Sequence, residues 1–216
     1  MEDRYEMKTK VWAHRGASAY APENTLEAFL LAAEQGADGV ELDVQLTKDG
    51  EMVVVHDEEI DRVSDGSGFV KDYTLAELKN LNFNKTHLEY QNVKIPTLRE
   101  VYEALKPTGM TINVELKTGI SGIRPGKKGT RADKRDGDGR SRDLSSFNHY
   151  SIAKILELDP KASTGILYAD IIYDVVNYAK KNRNRSSSSG NLSCADGRLS
   201  SAVCGKRSCG ACVDGQ

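Results

Sequence analysis

Glu41 and Asp43 stand two apart in the alternating run Gly39 to Leu46, and Glu115 and Lys117 repeat that spacing in Thr111 to Lys117. Side chains two apart on an extended strand share a face. Glu41, Asp43 and Glu115 converging at one end of a sheet would offer the oxygen ligands that Mg²⁺ or Ca²⁺ prefer. His14 and His56 each end an apolar run, and each precedes a charged residue, Arg15 and Asp57. Imidazoles titrate near neutral pH, so two of them beside a carboxylate cluster suit proton transfer. If the chain folds back at Lys48-Asp49-Gly50, Glu41 and His56 are almost equidistant from the turn and lie near each other. A parallel arrangement with a longer return is the alternative.

The elements that must position these groups read as alternating strands and helices. Val11-Trp12-Ala13 is a short buried strand ending on the loop His14-Arg15-Gly16, with Trp12 in the core. A helix follows, with Asn24 as its cap, Glu27 at the capping-box position, Phe29, Leu30 and Ala33 as its apolar stripe, and Gly36 as its stop. Gly39 to Leu46 and Met52 to Val55 are strands around the Lys48-Asp49-Gly50 turn. Residues 57 to 96 form a polar, loop-rich insertion that could cover a site, with one helix opened by a Thr74–Glu77 capping box. Pro96 precedes a helix over Leu98 to Leu105, and Thr111 to Lys117 is a further strand. Leu144 to Phe147 and Gly165 to Tyr168 are strand candidates, and Ser151 to Leu158 and Asp174 to Lys181 are helix candidates. This repetition implies a parallel sheet or barrel. His87 and His149 read as packing or surface residues.

The 216 residues suit one domain, spanning 1 to 181. A formal charge of -2 argues against non-specific nucleic-acid binding, which needs a basic surface. No stretch approaches the roughly 18 apolar residues of a membrane span. The start, Met1 to Lys10, is charged, so the chain reads as soluble and cytoplasmic. Two segments break the pattern. Over residues 119 to 143, 12 of 25 residues are charged and 6 are Gly, so no core-facing element can be drawn there. The tail, 182 to 216, lacks aromatics and holds eight serines, five glycines and all four cysteines, and reads as disordered. Cys209 and Cys212 have metal-knuckle spacing, but Cys194 and Cys204 do not complete a site.

His14-Arg15-Gly16, Pro22-Glu23-Asn24-Thr25, Gly36 to Val44, Leu46-Thr47-Lys48-Asp49-Gly50, Val55-His56-Asp57, Ile95-Pro96-Thr97-Leu98 and Glu115-Leu116-Lys117 occur in that order. The set resembles the glycerophosphodiester phosphodiesterases, densely over residues 10 to 118 and more loosely over 144 to 181. The resemblance implies a distorted TIM (βα)₈ barrel with its site at the C-terminal strand ends, incomplete here at its C-terminal end. It implies Glu41, Asp43 and Glu115 as ligands of a divalent cation, His14 and His56 as the acid/base pair, and Arg15 and Lys117 as phosphate-binding groups. The implied reaction releases glycerol 3-phosphate and an alcohol from a small soluble phosphodiester. A substrate hydroxyl attacks the phosphorus, and water opens the cyclic phosphate. Which histidine is base and which acid stays open.

The family supplies further strands after the position of Tyr178, one usually carrying a tryptophan, and none is visible here. Codons compatible with Cys204 to Gln216, shifted forward by one base, can read V-E-K-G-V-A-V-H-V-W-T-V, a helix end and strand of the missing kind. Codons for Asp133 to Leu144 can likewise read a family-like helix. Frame disruption therefore stands beside a genuine basic loop and flexible tail. Two other functions stay in view, a related phosphodiesterase acting on another lipid head group and a non-catalytic member of the family.

Overall fold

Strand β2 (Gly39–Leu46) divides its side chains between two environments. Val40, Leu42 and Val44 are buried on one face, and Glu41, Asp43 and Gln45 occupy the other. The structure, a computed structural model of the chain, describes residues 10–117, 142–181 and 186–188. Expectations for most of the charged segment, for the remainder of the tail and for all four cysteines lie outside the described residues.

β1 (Trp12–His14) runs parallel to the first half of β2 and places His14 beside Glu41. β3 (Met52–Val54) returns antiparallel against Val44 to Leu46. The hairpin is thus the form taken at Lys48-Asp49-Gly50, closed by Gly50 N–H donating to Thr47 O at 2.9 Å. β4 (Thr111–Leu116) lies parallel to β2 and places Glu115 beside Asp43. Because β4 takes one edge of β2, β1 and β3 must share the other, end to end.

β5 (Arg142–Ser146), β6 (Ser163–Leu167) and β7 (Ser186–Ser188) continue the sheet in parallel, giving the order β1-β2-β4-β5-β6-β7. Among the described residues β7 is not paired with β1, so the strands form an open section of barrel, incomplete at its C-terminal end as expected. β7 falls within the segment read as the tail. The outer edge of β6 offers backbone donors and acceptors, and a ladder can form on them without apolar side chains.

Helices cover the apolar face of the sheet. α1 (Leu26–Glu34), α2 (Leu75–Asn80), α3 (Leu98–Leu105), α4 (His149–Leu158) and α5 (Val175–Lys181) are the α-helices among the described residues. Phe29 from α1, Val101 and Leu105 from α3, and Ile152 and Ile155 from α4 join Val40, Leu42, Val114 and Ile166 in one core. Each such side chain contributes about 1.5–3 kcal/mol when fully buried. None of these helices is long and apolar enough to cross a membrane.

The insertion at 57 to 96 is less polar inside than its composition implies. Ile60, Val63, Val70, Leu78, Phe83, Val93 and Ile95 pack with Val53 and Val55 into a second cluster. Their irregular spacing over loops and the short α2 leaves no periodic signal.

Local signals explain the helix ends. Thr74–Glu77 and Thr97–Glu100 both form capping boxes, the second unread in the sequence beside Pro96. At the end of α1, Gly36 (φ 80°) donates to Ala33 O and Ala37 N–H to Ala32 O, a Schellman closure. The start of α1 differs from expectation. Thr25, not Asn24, is the cap, its side chain accepting from Ala28 N. Leu30 is exposed, and Ala28, Phe29 and Ala32 form the buried stripe. Trp12 is half-buried against Gly39 rather than enclosed.

The turn after β1 is tightly constrained. Arg15 (φ 57°) and Gly16 (φ 83°) are both left-handed. A Cβ on Gly16 would stand 2.7 Å from the Ala28 backbone, so the turn is pressed against the first turn of α1. Gly16→Ala combines left-handed strain of about 1–2 kcal/mol with overpacking of about 1–3 kcal/mol. Urea unfolding of that variant is expected to show a loss of at least about 2 kcal/mol, and a loss under 0.5 kcal/mol would contradict the packing described.

Candidate active site

Parallel strands bring their C-terminal ends to one rim, and the groups expected to do chemistry gather there. The register Asp43 to Glu115 places two carboxylates side by side, and period two adds Glu41 on the same face. Oxygens of Glu41, Asp43 and Glu115 lie within 4.8 Å of one another. Asp43 and Glu115 are buried, and Glu41 is half-buried. Burial, then the charges of Asp43 and Glu115, push the Glu41 carboxyl well above its ordinary range. Burial also raises Glu115, with Asp43 adding to the rise and Lys117 opposing it.

Lys117 follows β4 directly, and its ammonium lies 2.6 Å from Glu115 Oε1 and 3.2 Å from Asp43 Oδ1. Burial works against that charge, but the two carboxylates outweigh it and hold the lysine above its ordinary pKa. Asp43 Oδ1 and Glu115 Oε1 are fully enclosed, and neither accepts a hydrogen bond of proper angle. Enclosed, mutually repelling carboxylate oxygens this close together are a donor set that fits a hard divalent cation.

Arg15 reaches the same cluster from the turn after β1. Its Nε lies 3.5 Å from Asp43 Oδ2, and its Nη1 donates to Glu23 Oε1 at 3.0 Å. Left-handed backbone at a non-glycine residue is uncommon, and here the Arg15 N–H donates to Glu41 O at 3.0 Å while its carbonyl accepts from Asn24 N. His14 Nε2 lies 3.8 Å from Glu41 Oε2.

His56 arrives on the loop after β3, along the same edge of β2 as β1. Val55 N–H donates to Asp43 O at 3.0 Å, and Gln45 Nε2 donates to His56 O at 3.1 Å, which ties that loop to the strand. His56 Nδ1 is 2.6 Å from Asp57 Oδ1, and a carboxylate partner there makes Nδ1 the protonated nitrogen. All seven residues read from the sequence thus gather at one rim: His14, Arg15, Glu41, Asp43, His56, Glu115 and Lys117.

Asn24, whose sequence position suits a cap, has another task. It is buried and left-handed (φ 58°); its Nδ2 donates to Asp43 Oδ2 at 3.0 Å and its Oδ1 accepts from Asp43 N at 3.3 Å. Both contacts fix the Asp43 carboxylate relative to its own strand. Asparagine is favoured both at caps and in left-handed turns, so residue type alone could not separate the two roles.

Beside Glu115 and Lys117 opens a cavity of about 810 Å³, walled further by Phe147, Asn148, Tyr150 and Tyr178. The Lys117 ammonium sits 5.9 Å from the centre of the Phe147 ring. His149 is a packing residue of that wall, as expected, with Nδ1 2.8 Å from Tyr178 Oη and Nε2 2.8 Å from Leu167 O.

The sequence profile of the glycerophosphoryl diester phosphodiesterase family matches residues 14–191. A glycerophosphodiester phosphodiesterase of Caldanaerobacter subterraneus subsp. tengcongensis is 47% identical over 165 residues, 75% of this chain and 68% of the relative. One from Bacillus altitudinis is 40% identical over 175 residues, 80% of this chain and 71% of the relative. Among solved structures, an Oleispira antarctica phosphodiesterase in complex with the product sn-glycerol-3-phosphate superposes with a TM-score of 0.73 at 30% identity, covering 86% of this chain and 76% of that one. The Thermotoga maritima glycerophosphodiester phosphodiesterase gives 0.61 at 32% identity, covering 86% and 75%. With this match spanning most of the chain, and a parallel α/β sheet of the kind the family builds into its TIM-like barrel, the chain belongs to the glycerophosphoryl diester phosphodiesterase family.

Proposed function

We propose that Glu41, Asp43 and Glu115 bind one Mg²⁺ or Ca²⁺ ion, and that His14, His56, Arg15 and Lys117 act around it on a small glycerophosphodiester. The family hydrolyses such diesters to glycerol 3-phosphate and an alcohol. The observation that carries the reading is the meeting of three mutually close carboxylates with two imidazoles at one strand-end rim.

A bound divalent cation supplies polarisation of a phosphoryl oxygen. The protein's own groups do the rest. Arg15 and Lys117 are anchored cations placed to hold the phosphate and to offset charge that grows on its oxygens. One histidine takes the proton of the substrate's glycerol hydroxyl as that oxygen bonds to phosphorus. The other protonates the departing alcohol oxygen. The resulting cyclic phosphate is opened by water with the proton roles reversed. The 810 Å³ cavity beside Lys117 gives the alcohol portion a place against Phe147 and Tyr150.

A second reading, that the chain as written is weakly active or inactive, is favoured by the open sheet edges among the described residues and by Ile171 and Tyr173, which are 99% and 96% exposed. It treats the segment 119 to 143 and the tail 182 to 216 as frame-disrupted replacements of barrel sequence. The two readings concern different parts of the molecule.

Replacing any one of Glu41, Asp43 or Glu115 by Ala is expected to weaken Mn²⁺ binding, followed by calorimetry, and to lower turnover with it. Asn24→Ala is expected to weaken the same binding about 10- to 100-fold by freeing Asp43. Unchanged affinity in all three carboxylate variants would remove the cation site. His14→Ala and His56→Ala should each lower release of glycerol 3-phosphate by about 10² to 10⁴. Full activity in either variant would dismiss that histidine from proton transfer. Restoring the shifted frame in both segments is expected to raise melting temperature and activity together. If the 216-residue chain melts as cooperatively and turns over as fast as the restored form, the tail is functional and the second reading fails.

A further inference from the structure

Arg62 lies in the insertion, outside every motif assigned to the site, yet its guanidinium stands between the partners of two site residues. Its Nη1 and Nη2 fork onto Glu23 Oε2 and Oε1, at 2.8 Å each. Its Nε donates to Asp57 Oδ2 at 2.7 Å. Glu23 Oε1 also accepts from Arg15 at 3.0 Å, and Asp57 Oδ1 lies 2.6 Å from His56 Nδ1. Charges therefore alternate from Arg15 through Glu23 and Arg62 to Asp57, and that chain of contacts ends on the His56 imidazole.

We propose that Arg62 is a positioning residue that couples the placement of Arg15 to the placement and tautomer of His56. Only a guanidinium can serve both carboxylates, because its planar fork matches one carboxylate bidentately while Nε remains for another. A lysine at 62 carries the charge without that geometry. The two carboxylates respond accordingly. Burial alone would raise Glu23, but Arg62 and Arg15 hold it below its ordinary range. Burial opposes the charge of Asp57 too, and Arg62 and His56 outweigh it.

Arg62 is itself held from behind. Ile60 and Val63, on either side of it, are buried in the insertion's own core, and Ser64 Oγ donates to Ile60 O at 2.9 Å. The insertion thus reaches the site through a packed side, in contact with the partners of both Arg15 and His56.

The inference rests on the proposed roles of Arg15 and His56, and its test has a readout independent of turnover. In the full chain, long-range ¹H–¹⁵N correlation of histidine is expected to show His56 protonated at Nδ1. In Arg62→Ala that signal should move toward a mixture of tautomers, kcat should fall about 10- to 100-fold, and guanidinium chloride at millimolar concentration should restore part of it. Arg62→Lys should keep the melting temperature and recover less than half of kcat. An arginine that only pins the insertion would lower the melting temperature while leaving the tautomer and the kcat of the folded fraction unchanged. That result, or kcat and KM within twofold of the parent, overturns the proposal. An inactive parent with the expected tautomer shift would instead count against the catalytic reading and leave the positioning role standing.

Discussion

Three carboxylates within 4.8 Å of one another, two of them buried, form the constraint around which this molecule is arranged. Like charges at that distance repel strongly in a medium of low dielectric, and they persist only when opposite charge is brought to them. The chain brings it from two directions. Arg15 comes from a left-handed turn and Lys117 from the end of β4, and the neutral Asn24 amide adds a hydrogen bond to Asp43 from the turn before α1. Even so, two enclosed oxygens are left without hydrogen bonds. The strained turn, the buried asparagine and the raised carboxyls are several local costs of one electrostatic requirement.

That requirement is met because β2 separates two jobs by parity. Even-numbered Val40, Leu42 and Val44 face the helices, and odd-numbered Glu41, Asp43 and Gln45 face the rim. A one-residue slip against β4 would put carboxylates into the core and valines at the site, so the apolar face enforces the register that aligns Asp43 with Glu115. The edge of β2 is equally apportioned. β1 delivers His14 and Arg15 along its first half, and β3 delivers His56 from the second, so the two histidines approach from opposite ends of one strand.

Much of this was legible because alternation and turn residues encode it directly. Glu41 and Asp43 were readable as one strand face from spacing, the family resemblance joined Glu115 to them, and Lys48-Asp49-Gly50 marked the hairpin that carries His56. Other parts stayed hidden for physical reasons. Asn24 satisfies the chemistry of a cap and of a left-handed turn equally, and the sequence does not say which neighbour claims it. Arg62 gains meaning only through Glu23, 39 positions earlier, a pairing that no local pattern announces. The insertion's core is assembled from residues without a common period. β7 has no side-chain signature at all, since its pairing with β6 is made by backbone.

All seven site residues lie between positions 14 and 117, and the strands that carry them, β1 to β4, pair with one another around β2, β4 alone pairing onward with β5. During synthesis this stretch leaves the ribosome as one block, and its neighbours in space are its neighbours in time. The site can therefore take shape before the later strands exist. Selection and error act on the two halves unequally as a result: a change late in the gene alters how well the sheet is enclosed while leaving every chemical group in place. A chain of this design keeps its signature readable long after its enclosure has changed.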